Sequence, residues 1–168
     1  IVDMKDEQKK VYKAYVDDIR EKMEEEIDRS GISVKLLSYL TRIRQISLDP
    51  SLIMADYDGG SGKLEALLEI VQQSIEEGHK ILVFSQFTSM LKIISKELKD
   101  NKINHYYLDG SMKAKDRIDT VNKFNEDDTP VFLISLKAGG TGLNLTGADL
   151  VIHFDPWWNP AVEDQATD

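Results

Sequence analysis

Apolar residues recur at intervals of three and four through the first fifty positions. They then give way to short, unbroken apolar runs separated by helical spacing. Residues 3–29 contain neither Gly before the end nor Pro, and set Val11, Tyr12, Tyr15, Val16 and Ile19 at helical intervals. Ser30-Gly31 predicts the end of that helix. A second helix is expected over 34–45, with Leu36, Leu37, Leu40 and Ile43 along one side and Asp49-Pro50 as its stop. Asp56 to Gly62 is rich in Gly and Asp and reads as a linker, which divides the chain into 1–58 and 59–168.

Beyond the linker the pattern alternates. Ser61 is placed to cap a helix carrying Leu64, Leu67, Leu68, Val71 and Ile75, and Gly78 to end it. Residues 80–85 form a buried strand by their apolar, β-forming composition. Thr88 then caps a helix with Leu91, Ile94 and Leu98 inward. His105 to Leu108 is a strand, and Asp109-Gly110 turns out of it. A helix over 113–124 directs Ile118, Val121 and Phe124 inward, and strands follow at 131–134 and 149–154. Strands alternating with helices of this length predict βαβ units, hence an α/β fold with a parallel sheet covered on both faces. Ligands bind such sheets beyond the carboxyl ends of the strands. That rule singles out the loops after Phe84, Leu108 and Ile134.

Candidate chemistry is sparse outside those loops. Gly62-Lys63 resembles the end of a phosphate-binding P-loop, but the required earlier Gly is Tyr57 and the required Ser or Thr is Leu64. His79, His105 and His153 lack metal-ligand spacing and read as strand-end or core residues, so no metal site is expected. The stretch from Ser135 to Thr146 places Gly139, Gly140 and Gly142 just past a strand, with Lys137 and Asn144 beside them. Exposed backbone N–H groups there suit phosphate oxygens; a tight turn needing positive φ explains the same glycines. Composition leaves both open. Asp155-Pro156-Trp157-Trp158-Asn159-Pro160 puts both tryptophans of the chain in a proline-bracketed loop, a place from which aromatic wedges reach bases or a partner.

Charge and composition narrow the classes. The absence of cysteine removes thiolate chemistry, disulfides and thiolate zinc sites. The longest apolar run falls far short of the roughly 20 residues that span a bilayer, so no membrane partner is expected. The net charge of −9 opposes nucleic acid as a bulk effect. It is concentrated at the ends, however: −3 over 1–30, −4 over 151–168, and −2 over the 120 residues between. A nucleic-acid site would have to be local. The chain opens on Ile1 and closes on Asp168 in mid-pattern, which predicts a piece of a longer polypeptide.

Ile81 to Phe87, Leu108 to Ser111, Ser135 to Thr146 and Asp155 to Asp168 together resemble, in order and spacing, the second-lobe motifs IV, IVa, V and VI of Swi/Snf-family ATP-dependent DNA translocases. Gln8 and Tyr12 resemble that family's Gln-x-x-x-Tyr helix leaving the first lobe, and Leu40 to Pro50 resembles its Leu-Arg-x-x-x-x-His-Pro segment with Asp49 in place of His. The resemblance implies a three-layer RecA-like lobe over 59–168, truncated before the arginine fingers, and an inter-lobe helical extension over 1–58.

The same resemblance implies function. Two lobes would close on ATP and Mg2+, both held mainly by a first lobe absent from this sequence, and the motor would move along duplex DNA. Ser85, Gln86, Gly110, Ser111, Ser135, Lys137, Gly139, Gly140, Asn144 and Trp158 would meet DNA; Gly140, Gly142 and Gln165 would face ATP. Trp157 occupies a position often acidic in the family. The family's Arg-x-x-Arg would follow Asp168, so the 168 residues alone are expected to be inactive and to bind no cofactor of their own. Partners would be duplex DNA, the first lobe and a DNA-bound protein. The setting would be intracellular, in bacterial cytoplasm or nucleoid, or in a eukaryotic nucleus. The alternatives are a helicase-like lobe serving as a protein-interaction platform, and an RNA-directed helicase lobe.

Overall fold

The computed structural model describes residues 2–26, 32–139 and 143–155. The chain divides into two compact units, 1–66 and 67–168.

The first unit is helical. Helix α1 spans Asp6–Glu26 and α2 spans Ile32–Leu48. Asp6 and Glu7 in the first turn of α1 complement the positive end of the helix dipole. A 3-10 turn, Pro50–Leu52, follows α2, because Asp49 accepts from the Ser51 amide (2.9 Å) and Pro50 cannot continue a helix hydrogen-bond ladder. Ser30-Gly31 lies outside the described residues.

One side chain organises this unit. Gln8 is fully buried. Its amide nitrogen donates to the carbonyls of Ile46 (2.8 Å) and Ser47 (3.0 Å), and its oxygen accepts from the amides of Lys5 (3.1 Å) and Gly62 (3.2 Å). Three distant segments therefore share one side-chain amide. The Gly-rich stretch is anchored here too. The Ser61 hydroxyl donates to the Leu48 carbonyl, and a Cβ on Gly62 would collide with the Asp3 carbonyl oxygen. Leu36, Leu37 and Leu40 share one side of α2, as expected, but all three are exposed.

Helix α3 spans Gly62–Glu76. Ser61 caps it by accepting from the Leu64 amide (3.2 Å). Gly78, at φ 85°, ends it: its amide donates to the Ile75 carbonyl, and the following His79 amide donates to the Ser74 carbonyl.

The second unit is an α/β layer structure. Strands β1 (Ile81–Ser85), β2 (His105–Leu108), β3 (Val131–Ser135) and β4 (Leu150–His153) pair in parallel, in the order β2-β3-β1-β4. Helices α4 (Thr88–Asp100) and α5 (Ala114–Glu126) cross between them, and β3 leads into a four-residue turn of helix, α6 (Leu136–Gly139). Every residue of β1 and β3 is buried, as a parallel strand covered on both faces requires. Leu82, Phe84, Phe132 and Ile134 meet Val121 and Phe124 of α5 on one face. Alternation turns Ile81, Val83, Val131 and Leu133 to the other face, where α4 buries Met90, Leu91, Ile94 and Leu98. Each such side chain contributes roughly 1.5–3 kcal/mol relative to exposure.

Two expectations need correction. Ile118 is exposed, because α5 turns only Val121 and Phe124 into the core. Thr88 is the first helical residue of α4, and the cap position is held by Phe87 without a side-chain bond.

The amino edge of the sheet carries stabilising contacts. Lys80 Nζ donates to the carbonyls of Phe124 and Asp127 and lies 4.1 Å from the Phe124 ring centroid. Asp149 accepts from the Lys80 amide (2.9 Å) and pairs with His79 Nδ1 (2.8 Å). The bond to Asp149 raises the His79 pKa, and the bond from His79 lowers that of Asp149.

Gln8→Ala is expected to destabilise the first unit by roughly 1–3 kcal/mol, because it strands a buried amide and buried carbonyls. Urea denaturation followed by circular dichroism measures this; an unchanged midpoint would remove Gln8 from the account. The stabilising pair is present below pH about 6.5, the free imidazole value, is lost as pH rises through the raised folded-state pKa of His79, and is lost again on acidification as Asp149 is protonated at its lowered pKa. Asp149→Asn should return the His79 titration, followed by NMR, toward the free value. Salt should weaken the effect, because both groups are solvent-exposed.

Candidate nucleic-acid interface

Parallel pairing puts the carboxyl ends of all four strands on one edge. Across the sheet, the loops after β2, β3, β1 and β4 follow one another in that order. Ser85 and Ser135 are register partners, so residues fifty positions apart lie side by side.

The hydrogen bonds at this edge are centred on two carboxylates. Asp155, buried beyond β4, accepts from the Ser85 hydroxyl and from the Gln86 amide (2.9 Å). Ser85 Oγ in turn accepts from the Phe87 amide (3.1 Å). Asp109, beyond β2, accepts from the Ser111 amide (2.9 Å) and hydroxyl through one oxygen and from the Tyr107 hydroxyl (2.6 Å) through the other. The Ser111 hydroxyl, then that of Tyr107, hold the Asp109 pKa below the ordinary carboxylate value, and Lys92 adds to the shift. Burial and the bond to Asp109 push Tyr107 up. Arg117 fixes the same loop from α5, donating to the carbonyls of Met112 (3.0 Å) and Gly110 (2.9 Å).

Against that frame, the candidate residues separate. Gly110 is exposed, with open space at its Cα, and Lys137 projects from α6 into solvent. Gln86 is half-buried, and Ser111 is exposed with its hydroxyl directed at Asp109. Ser85 and Ser135 are buried at the strand ends. These six share the carboxyl edge. Gly139 faces inward instead: a Cβ there would lie 2.6 Å from the Phe84 ring, so close packing accounts for this glycine. Asn144 is placed elsewhere. Its carbonyl accepts from the side chain of Asn125 (2.8 Å), near the end of α5, where the chain approaches the amino edge. Gly147 donates to the same Asn125 (2.8 Å). Gly140, Gly142, Trp157, Trp158 and Gln165 lie outside the described residues.

Sequence reasoning missed Asp155 and Arg117 as organisers of the edge. Asp155 carried a signal, an acidic residue directly after an apolar strand. Its partner Ser85 is seventy positions away, and no local pattern joins them. The histidines are placed as expected: His105 donates from Nδ1 to the Ile103 carbonyl (3.0 Å), and His153 stacks on Phe84 with ring centroids 5.5 Å apart. Among the described residues no group of three His, Asp or Glu side chains could hold a metal ion, and no helix is long and apolar enough to cross a membrane. The Gly62 amide is spent on Gln8, which agrees with reading Gly62-Lys63 as a helix start.

The chain is similar to known proteins along its whole length. The helicase conserved C-terminal domain family matches residues 62–168. An ATP-dependent helicase of Mycoplasma genitalium is 39% identical over 99% of this chain, which spans 16% of that protein. The Arabidopsis thaliana protein CHROMATIN REMODELING 24 is 34% identical over 93% of the chain, which spans 14% of it. Among solved structures, the Sulfolobus solfataricus SWI2/SNF2 ATPase C-terminal domain superposes with a TM-score of 0.82 at 37% identity, covering 96% of this chain and 72% of that one. The core of that ATPase in complex with double-stranded DNA gives 0.82 at 35% identity, covering 99% and 36%. The chain belongs to the helicase conserved C-terminal domain family and has the RecA-like fold of the SWI2/SNF2 ATPases.

Proposed function

We propose that the chain is the second motor lobe of a DNA-dependent ATPase that translocates on duplex DNA and remodels protein–DNA complexes. The observation that carries this reading is the convergence of Gln86, Gly110, Ser111 and Lys137 on one carboxyl edge. Small, polar and cationic groups there suit a phosphate backbone, which is contacted without reading bases. The similarity to a SWI2/SNF2 core in complex with double-stranded DNA supports duplex DNA as the partner. Residues 1–58 act in this reading as the inter-lobe extension and 59–168 as the lobe.

ATP and Mg2+ belong to the assembled motor. Gly140, Gly142 and Gln165 would face the nucleotide, and Trp158 the DNA groove. The sequence contains no P-loop, so the chain by itself does not hydrolyse ATP. Its setting is intracellular.

A second reading, the protein-interaction platform, draws on one observation. In the first unit, exposed Leu36, Leu37 and Leu40 accompany a groove of about 790 Å³ lined by Val11, Tyr15, Ile53 and Met54. Apolar surface of that kind takes a protein partner.

ATP hydrolysis by the longer polypeptide carrying this chain distinguishes the readings. It is measured without nucleic acid, with duplex DNA and with RNA, and the 168-residue chain serves as control. Stimulation by duplex DNA beside an inert control is the expected result. A polypeptide equally inert in all three conditions would overturn the motor in favour of the platform, and stimulation by RNA alone would make the lobe RNA-directed. Lys137→Ala should weaken duplex binding to a similar extent on every DNA sequence, by fluorescence anisotropy, and leave thermal stability within about 0.5 kcal/mol because the side chain is exposed.

A further inference from the structure

We propose that the outer face of α4 is a second, sequence-indifferent contact for duplex DNA, continuous with the carboxyl-edge site; it rests on the duplex-DNA reading above. Lys92, Lys96 and Lys99 stand at i, i+4 and i+7, which places them on one stripe about 10 Å long. All three are exposed. Among the described residues, none of their ammonium groups lies within 4.0 Å of a carboxylate oxygen.

With Ser95 and Tyr107 they line an open groove of about 410 Å³ against β2. Its floor is already satisfied. His105 gives its Nδ1 proton to Ile103, so its Nε2 accepts from the Ser95 hydroxyl (2.7 Å). The Tyr107 hydroxyl is committed to Asp109. The three ammonium groups are what the groove offers a ligand. Compact point charges without a positioned neutral donor bind phosphates and carry no base code.

Continuity fixes the occupant. α4 starts at the carboxyl edge, and Lys92 acts electrostatically on Asp109, whose loop holds Gly110 and Ser111. A backbone leaving that loop meets Lys92, then Lys96, then Lys99. Glu97 and Asp100 share the helix, yet a stripe of three cations stands out on a chain of net charge −9. Such a chain draws in a polyanion only where cations are grouped.

The test is the salt dependence of duplex DNA binding by this chain, comparing it with the triple variant K92A/K96A/K99A, with Lys137→Ala and with the charge-preserving K92R/K96R/K99R. The expected result is a log Kd against log salt slope shallower by about 0.9 per phosphate contact removed, up to about 2.7 for the triple alanine variant. The arginine variant should keep the wild-type slope. Circular dichroism confirms folding of each. A slope unchanged in the triple alanine variant but reduced by Lys137→Ala would overturn the α4 contact and leave the proposed function standing. No duplex binding by the unmodified chain would overturn the α4 contact, while the proposed function is decided separately by DNA-stimulated ATP hydrolysis of the longer polypeptide. Binding of a poly-glutamate peptide, lost in the triple variant while duplex binding is kept, would overturn DNA as the occupant.

Discussion

Parallel pairing of β1 with both β3 and β4 is the constraint on which the second unit rests. A parallel strand must return to its starting end before it can pair again, so each connection crosses the sheet and helices come to cover the faces. That requires β1 and β3 to be apolar on both sides, which they are. It also forces every strand to finish on the same edge. The chemistry then gathers at that edge: Gln86, Gly110, Ser111 and Lys137 are neighbours because their strands are.

The two edges divide the labour. The amino edge holds Lys80 between Phe124 and Asp127, and Asp149 between His79 and the Lys80 amide. These contacts tie the start of β1 to the end of α5 and the start of β4. At the carboxyl edge, buried Asp155 draws the loop after β1 onto β4, and Asp109 does the same within the loop after β2. Both carboxylates are acceptors, so they order hydroxyl and amide donors around them. Asp109, whose pKa is lowered, also places negative charge where a phosphate would approach.

Much of this was legible from residue order, for a physical reason. An unbroken apolar run bounded by turn residues has few homes other than a buried strand, and alternation with helices leaves a parallel sheet as the solution. Periodicity failed where it had to. It states which residues share a helix face but not whether anything covers that face, so Leu36, Leu37 and Leu40 were grouped correctly and found exposed; Ile118 was grouped with Val121 and Phe124, but α5 turns only those two inward. Sequence proximity failed for Asn144, which follows the Gly-rich stretch yet is bonded to Asn125. Gly139 looked like room for a ligand and is room for Phe84. Asp155 and Arg117 escaped because each acts through a bond to a separate loop.

The electrostatics of the carboxyl edge bear on what it can hold. Asp109 is kept ionised by Ser111, Tyr107 and Lys92, so the Gly110-Ser111 turn presents a fixed negative charge beside any phosphate it meets. The Ser111 donors are already engaged in holding that charge. Neutral donors at this edge are thus poorly suited to attract a polyanion by themselves, and attraction has to come from cations flanking them. Lys137 stands on α6 at one side and Lys92 on α4 at another. A phosphate backbone passing over the turn would be held from its flanks, while Asp109 sets the shape of the turn between them.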